Sequence, residues 1–122
     1  MQPDNTSAGR ILVVEDETMV AMLIEDILDE LGYTAIGPAA RVAEALQILE
    51  TEALDGALLD VNLLGETSYG IADALAERGC PFIFTTGYGG AGLEEAYRDR
   101  PVLQKPFTRE RLAEALATHI LG

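Results

Sequence analysis

The sequence of 122 residues contains one cysteine, one lysine and no tryptophan. Because Cys80 is the only cysteine, an internal disulfide is excluded, which fits a reducing compartment. This residue precedes a predicted strand, and we expect it to serve as a small buried hydrophobe. No apolar run approaches the roughly 18 residues that indicate a membrane-spanning helix. The chain is therefore expected to have no membrane partner and to lie in the cytoplasm.

Positive charge is also scarce, since 8 lysines and arginines face 21 aspartates and glutamates, giving a net charge of -13. Such an acidic surface repels the phosphates of nucleic acids, so neither DNA nor RNA is expected as a partner. A cluster of these acids at one place would need a cation, because like charges repel.

Apolar residues make up 48% of the chain, which is typical of a globular protein, and the length allows one domain. The first nine residues are polar and lack the apolar core of a secretory signal. Residues 1–9 are therefore predicted to be a flexible tail, and residues 10–122 a single folded domain.

Short apolar runs alternate with helical patterns along the chain. The runs predict strands at Arg10–Val14, Thr34–Gly37, Gly56–Asp60, Phe82–Thr85 and Val102–Gln104. Helical periodicity predicts helices from Thr18 to Leu31, around Val42–Leu49, around Ile71–Leu75 and across Leu112–Ile120, with Ser68 and Thr108 as caps. Such alternation predicts an α/β fold, with a parallel sheet covered by helices on both faces.

The fourth helix expected from this alternation is weak. Residues 87–92 include four glycines in six positions. Glycine in a helix interior costs about 1 kcal/mol relative to alanine. Only Leu93–Tyr97 is expected to be helical there, and we expect the whole stretch to be mobile.

Four of the predicted strands end in polar residues of reactive type. Glu15 and Asp16 follow the first strand, Asp60 ends the third, Thr86 follows the fourth and Lys105 follows the last. Ligand sites of open parallel sheets lie at the carboxyl ends of the strands, so these side chains are expected to meet there. Clustered carboxylates suit Mg²⁺, and a carboxylate can also act as a nucleophile. A hydroxyl and an ammonium beside them complete the requirements of phosphoryl transfer.

The lysine of this set is followed by Pro106. Since X–Pro bonds have only a small trans preference, we predict a cis Lys105–Pro106 bond that directs the ammonium toward Asp60.

Four motifs together resemble the receiver domain of two-component response regulators, across Arg10 to Leu121. They are V-V-E-D at 13–16, L-L-D-V-N-L at 58–63, F-T-T-G-Y-G at 84–89 and Q-K-P-F at 104–107. The resemblance implies a flavodoxin-like (βα)5 fold with strand order 2-1-3-4-5 and a short or disordered fourth helix.

The resemblance also implies the role of each acid. Asp60 would accept a phosphoryl group from a partner histidine kinase or phosphotransfer protein. Asp16, Asp60 and the Asn62 backbone carbonyl would hold Mg²⁺, and Glu15 would assist through water.

Around the acceptor, the resemblance implies that Thr86 and Lys105 contact the phosphoryl oxygens. Asn62, Gly87 and Tyr88 would modulate the rate at which the phosphoryl group is gained and lost.

Residues 81–89 are similar to the subclass of receivers named FAT GUY after its motif, although Thr85 stands where the motif has alanine. Many receivers carry a switch aromatic three residues before the lysine, but this chain has Val102 there. We therefore expect ordering of Gly87–Tyr97 to replace that switch. The likeness implies a kinase of the HWE or HisKA-2 type from alphaproteobacteria. The weak fourth helix favours a monomer, because that helix belongs to the dimer surface common among receivers.

A docking surface is expected beside the site. In the first helix the apolar stripe toward the core comprises Val20, Leu23, Ile24, Ile27 and Leu31. Met22 points nearly opposite and Met19 lies on the flank, so both are expected to contact a partner helix, as are Pro106 and Phe107.

Two other functions are compatible with a cluster of carboxylates at a sheet edge. A magnesium-dependent phosphatase with an aspartyl nucleophile usually needs a second aspartate two residues on, where this chain has Asn62, which cannot act as a general acid. A receiver-like scaffold that works without phosphate is disfavoured by the complete set of site residues. His119 is expected to have a structural role in the last helix. With no output module after residue 122, we expect a stand-alone receiver that signals through protein contacts and is not an enzyme for external substrates.

Overall fold

The computed structural model describes residues 9–87 and 93–121. Within them, five strands form one parallel sheet and two short strands form a hairpin. The strands are β1 (Arg10–Val14), β2 (Thr34–Ala39), β3 (Gly56–Asp60), β4 (Asn62–Leu63), β5 (Glu66–Thr67), β6 (Phe82–Thr86) and β7 (Val102–Gln104). The α-helices are α1 (Thr18–Glu30), α2 (Val42–Thr51), α3 (Tyr69–Glu77) and α4 (Arg109–Leu116), with a 3₁₀ turn at Glu95–Tyr97 and a π-helical turn at Ala117–Leu121.

The large sheet has the strand order β2-β1-β3-β6-β7. Counted along the chain, these strands are ordered 2-1-3-4-5, so the predicted flavodoxin-like arrangement is confirmed. The central strands β3 and β6 are buried along their whole length, which explains why both sequences read as continuous apolar runs.

Two apolar layers enclose this sheet. Alternate strand residues face α2 and α3 on one side, where Phe82 and Phe84 contribute aromatic rings. The residues between them face α1 and α4, where the packing is mostly aliphatic. Because successive side chains of a strand point to opposite faces of the sheet, the residues of β3 and β6 alternate between the two layers.

The predicted strands and helices are largely confirmed, with small differences at their ends. β6 extends one residue further than predicted, to Thr86, and β2 extends two residues further, to Ala39. The extension of β2 depends on Gly37, whose φ of 106° suits glycine and whose missing Cβ would lie 3.0 Å from the Val13 carbonyl oxygen.

The two predicted caps behave differently. Thr108 caps α4, because its hydroxyl accepts a hydrogen bond from the Arg111 N–H at 3.1 Å. Ser68 occupies the cap position of α3, but its side chain makes no capping hydrogen bond and its hydroxyl is buried without a partner among the described residues.

Among the described residues of the glycine-rich stretch, the weak fourth helix is represented by the 3₁₀ turn at Glu95–Tyr97, inside the predicted range. The rest of the glycine-rich stretch, residues 88–92, and most of the predicted tail, residues 1–8, lie outside the described residues. Gly9 is buried, and its carbonyl accepts a hydrogen bond from Thr34 N–H. In the described ranges, none of the helices has the length and apolar character needed to cross a membrane.

Candidate functional site

The polar residues that follow the strands meet at the carboxyl edge of the sheet, as predicted. Strand pairing places Asp60 beside Thr85 and Thr86 beside Gln104, so the ends of β3, β6 and β7 lie next to each other. They border an open cleft of about 440 Å³ whose lining is Asp16, Glu17, Asp60, Asn62, Thr86, Gly87 and Lys105.

Lys105 also lines the cleft and forms ion pairs with two of the acids. Its Nζ lies 2.7 Å from Glu15 Oε1 and 3.3 Å from Asp60 Oδ2. Its backbone N–H donates to the Thr86 carbonyl at 2.8 Å, which fixes the base of the side chain to β6. The Lys105–Pro106 bond is cis, as predicted.

Glu15 is the most deeply buried of the acids, with a side chain that has no exposed surface. Burial raises its pKa to about 7, against the opposing effect of the hydrogen bond from Lys105. Burial would lower the pKa of Lys105, but the hydrogen bond to Glu15 and the charge of Asp60 outweigh that effect and raise it. A cation bound at the acids would favour the ionised carboxylate and lower the pKa of Glu15 again.

The three acids fit a hard divalent cation. Glu15, Asp16 and Asp60 each offer a carboxylate oxygen, and these oxygens lie within 4.8 Å of one another. Mg²⁺ prefers such oxygen ligands and keeps several waters, which the open cleft admits. Asn62, two residues after Asp60, is exposed and also lines the cleft.

Two contacts at the site were not predicted from the sequence. The Leu64 N–H donates to Asp16 Oδ2 at 3.0 Å, from the turn of the β4–β5 hairpin. The Glu17 N–H donates to Glu15 Oε2 at 3.1 Å. A Leu-Gly turn lacks the Asn-Gly signature that identifies most two-residue hairpins, so no turn motif indicates the first contact.

Of the three predicted modulators, Asn62 and Gly87 line the cleft. Tyr88 lies outside the described residues. Val102 is half-buried in β7.

The predicted docking residues include two exposed methionines of α1 and two residues of a groove that shares Lys105 with the cleft. Met19 and Met22 are 83% and 56% exposed. Pro106 and Phe107 line an apolar groove of about 280 Å³ together with Val20, Leu23 and Lys105.

Leu23 corrects the predicted stripe of α1, because it is 52% exposed although it was expected to face the core. Helical periodicity predicts the direction of a side chain but not whether other residues cover it. Leu23 points toward the apolar groove, which is open to solvent. His119 is exposed in the π-helical turn that follows α4. It lines a surface groove with Arg111 and Glu114, and this groove includes none of the residues that line the cleft.

On the opposite face of the sheet, aromatic residues connect α3 to the segment after β6. The rings of Tyr69 and Tyr97 are stacked with centroids 4.2 Å apart, and Phe84 meets both edge-on. The Glu94 N–H donates to the Tyr69 hydroxyl, and the Tyr97 hydroxyl donates to Asp73 Oδ1, both at 2.9 Å.

Comparison with known proteins shows which protein family this chain resembles. The model of the response regulator receiver domain matches residues 11–117. The transcriptional regulatory protein PdtaR of Mycobacterium tuberculosis is 30% identical over 111 residues, which are 88% of this chain and 54% of that protein. The chain thus spans about half the length of the curated relatives it matches.

Solved structures show a similar fold. The solution structure of SdrG from Sphingomonas melonis Fr1 is 46% identical, with a TM-score of 0.83 and coverage of 100% of both chains. The BeF3-activated conformation of SdrG, recorded from Pseudomonas melonis Fr1, is 49% identical with a TM-score of 0.78 and covers 88% of this chain and 92% of that one.

Proposed function

This chain belongs to the response regulator receiver domain family, and we propose that Asp60 accepts a phosphoryl group from a phosphohistidine of a partner histidine kinase or phosphotransfer protein. The observation that carries the proposal is the placement of Asp60 at the cleft, 3.3 Å from the Lys105 ammonium and beside two further carboxylates. The receiver unit would comprise residues 10–122, preceded by a tail.

In the proposed step, a carboxylate oxygen of Asp60 attacks phosphorus and forms an O–P bond. The N–P bond to the partner's histidine breaks, and the ring nitrogen keeps the electron pair and takes up a proton. Lys105 and Thr86 would bind the phosphoryl oxygens, because they approach Asp60 from the neighbouring strands. This arrangement stabilises charge and positions the reactants, which is most of what phosphoryl transfer requires.

Asp16, Asp60 and the Asn62 carbonyl would hold Mg²⁺, and Glu15 would assist through water. When bound, the ion would neutralise the negative charge that develops on the phosphoryl oxygens. Glu15 would also position the lysine, since it holds the ammonium at 2.7 Å.

Hydrolysis of an acyl phosphate on Asp60 would require water to approach it within the cleft. Asn62 and Gly87 line that cleft, and Tyr88 follows Gly87 in the chain. All three would therefore set the lifetime of the phosphorylated state.

The partner would dock on the apolar groove beside the cleft. Met19, Met22, Pro106 and Phe107 would contact a helix of the kinase, which presents its phosphohistidine toward Asp60. The likeness to the FAT GUY subclass favours a kinase of the HWE or HisKA-2 type. The protein would act as a monomer. It would work in the cytoplasm, where the kinase has ATP.

The signal would leave through the segment after β6. Phe84 is two residues from Thr86 and touches Tyr69 and Tyr97, so a displacement of Thr86 toward a phosphoryl group would reach residues 93–97. Val102 occupies the position where many receivers carry a switch aromatic. Ordering of Gly87–Tyr97 would replace the movement of that ring.

Incubation with acetyl phosphate and Mg²⁺, followed by mass spectrometry, tests the acceptor. The wild type should gain one phosphoryl group, and the Asp60→Asn variant none. Failure of the wild type to gain it would overturn the proposal in favour of a scaffold that works without phosphate. Continuous hydrolysis of a generic phosphate ester would instead indicate a phosphatase.

A further inference from the structure

The β4–β5 hairpin has an unusual turn. Leu64 and Gly65 connect its strands with φ of 48° and 89°, the left-handed pair that two-residue hairpins adopt. Glycine or asparagine is the ordinary choice at the first of these positions, because a leucine Cβ crowds the backbone there. A leucine is nevertheless found, and its side chain is 54% exposed. Its side-chain packing therefore does not explain why the turn adopts this conformation.

The base of the hairpin is attached to the body of the protein. Leu63 is fully buried, the Ser68 N–H donates to the Val61 carbonyl at 2.9 Å, and the Val61 N–H donates to the Thr85 carbonyl at 3.3 Å. The turn itself is attached to the site through the hydrogen bond from Leu64 N–H to Asp16 Oδ2.

We propose that the backbone N–H of Leu64 is a positioning group for the metal site, which acts by fixing the carboxylate of Asp16. A carboxylate has several lone pairs, so Asp16 can accept this bond and still offer oxygen to a cation. Hydrogen bonds to ligating carboxylates orient them and increase metal affinity. The conformation of the hairpin would thus determine how well the site binds Mg²⁺. This inference rests on the Mg²⁺ site of the proposed function, but not on phosphoryl transfer.

The Gly65→Ala variant tests this coupling. A Cβ at residue 65 would meet no atom within 4 Å, so the only direct consequence is strain at φ of 89°. We expect the strained turn to loosen the Leu64–Asp16 bond and weaken Mg²⁺ binding by about tenfold. The readout is the titration of amide NMR shifts of residues 15–16 and 60–62 with Mg²⁺ alone.

Gly79→Ala is the matched control. Gly79 also has a left-handed φ, of 70°, and open space around its Cβ position, but it precedes β6 and so lies near the opposite edge of the sheet. The two variants should lose similar stability, and only Gly65→Ala should lose Mg²⁺ affinity. Equal affinities for Mg²⁺ in the two variants would contradict the proposal.

A second variant removes the donor itself. An ester at Leu64, introduced with the hydroxy acid analogue of leucine, replaces the N–H by oxygen and keeps the side chain and the turn. It should weaken Mg²⁺ binding to a similar extent, and wild-type affinity would overturn the inference even if Gly65→Ala tolerates its strain.

These measurements use no phosphodonor, so the inference and the proposed function can fail separately. Normal Mg²⁺ binding by the ester variant, with phosphorylation of Asp60 intact, rejects only the inference. Weakened binding in the variants, with no phosphorylation of the wild type, rejects only the proposed function.

Discussion

The two faces of the sheet present different surfaces beside the same cleft. On one face lies the apolar flank, formed by Met19, Met22, Leu23, Pro106 and Phe107, which leaves large apolar side chains in solvent. On the other lies the aromatic flank, formed by Tyr69, Phe84 and Tyr97, where rings stack on each other and two hydroxyls are hydrogen-bonded. Burial of exposed apolar surface against a partner is favourable, whereas closely packed rings transmit displacement within the molecule. In the proposed function, the signal would therefore enter at the apolar flank, and the aromatic flank would respond.

The Asp60→Asn variant should separate these two roles completely. It removes the acceptor but keeps the size of the side chain, so the apolar flank should still bind the kinase. The aromatic flank should no longer respond to beryllofluoride, which mimics the phosphoryl group. Binding assays with the kinase, alongside NMR of Tyr69 and Tyr97, measure both effects, and a response that persists in the variant would show that the aromatic flank is not driven from Asp60.

A pH dependence should belong to the cleft and to neither flank, because the buried carboxyl groups among the described residues are Glu15 and Asp60. The folded-state pKa of Glu15 is raised to about 7 from an ordinary value of 4.5, mainly by burial. Its contribution to stability is therefore present below pH 4.5 and is lost as the pH rises through about 7. The loss is at most about 3 kcal/mol.

Chemical denaturation across this pH range measures the effect. Glu15→Gln should flatten the profile, and saturating Mg²⁺ should also flatten it by favouring the ionised carboxylate. An unchanged slope in Glu15→Gln would mean that another group is responsible.

The Met22→Glu variant should impair the apolar flank alone. A charge in the contact should slow phosphotransfer from the cognate kinase about tenfold, which corresponds to ~1.4 kcal/mol. Labelling by acetyl phosphate should stay unchanged, because that donor needs no docking surface. Gln47→Glu adds the same charge on the exposed side of α2 and is the matched control. Equal phosphotransfer by the two variants would remove the distinction between the flanks.

The smallest effect is expected at the hydroxyl of Tyr97. Its hydrogen bond to Asp73 raises its pKa, with burial adding to the shift. Asp73→Ala should therefore lower the pKa of Tyr97 toward its ordinary value, as followed by absorbance of the tyrosinate. Tyr97→Phe should reduce stability by about 0.5–1 kcal/mol, since it removes one partly exposed hydrogen bond and keeps the stacked ring. Tyr33→Phe, on the other face of the sheet, serves as the control and should leave the pKa of Tyr97 unchanged.

Much of this architecture was predictable because the central strands carry continuous apolar runs, and each run ends at a polar residue of the cleft. Strand order then followed from the resemblance, and the meeting of Asp60, Thr86 and Lys105 followed from the parallel sheet. The cis bond before Pro106 was also predicted.

Features that depend on three-dimensional neighbours were not predictable. The hairpin at Leu64 lacks a turn signature, and its contact with Asp16 joins residues 48 positions apart. The exposure of Leu23 depends on the groove beside it, and the raised pKa of Glu15 depends on how deeply the sheet edge is covered. Helical or strand periodicity carries no information on either.

A phosphoryl group on Asp60 should change the aromatic flank through the cleft. The most direct measurement is a backbone amide NMR spectrum with Mg²⁺ and then with beryllofluoride, in the wild type and in Asp60→Asn. We predict that beryllofluoride shifts the amides of residues 15–16, 60–62, 85–87, 93–97 and 105 in the wild type and leaves the variant unchanged. Shifts with Mg²⁺ but none with beryllofluoride would contradict the account, because the cleft would then bind metal without switching.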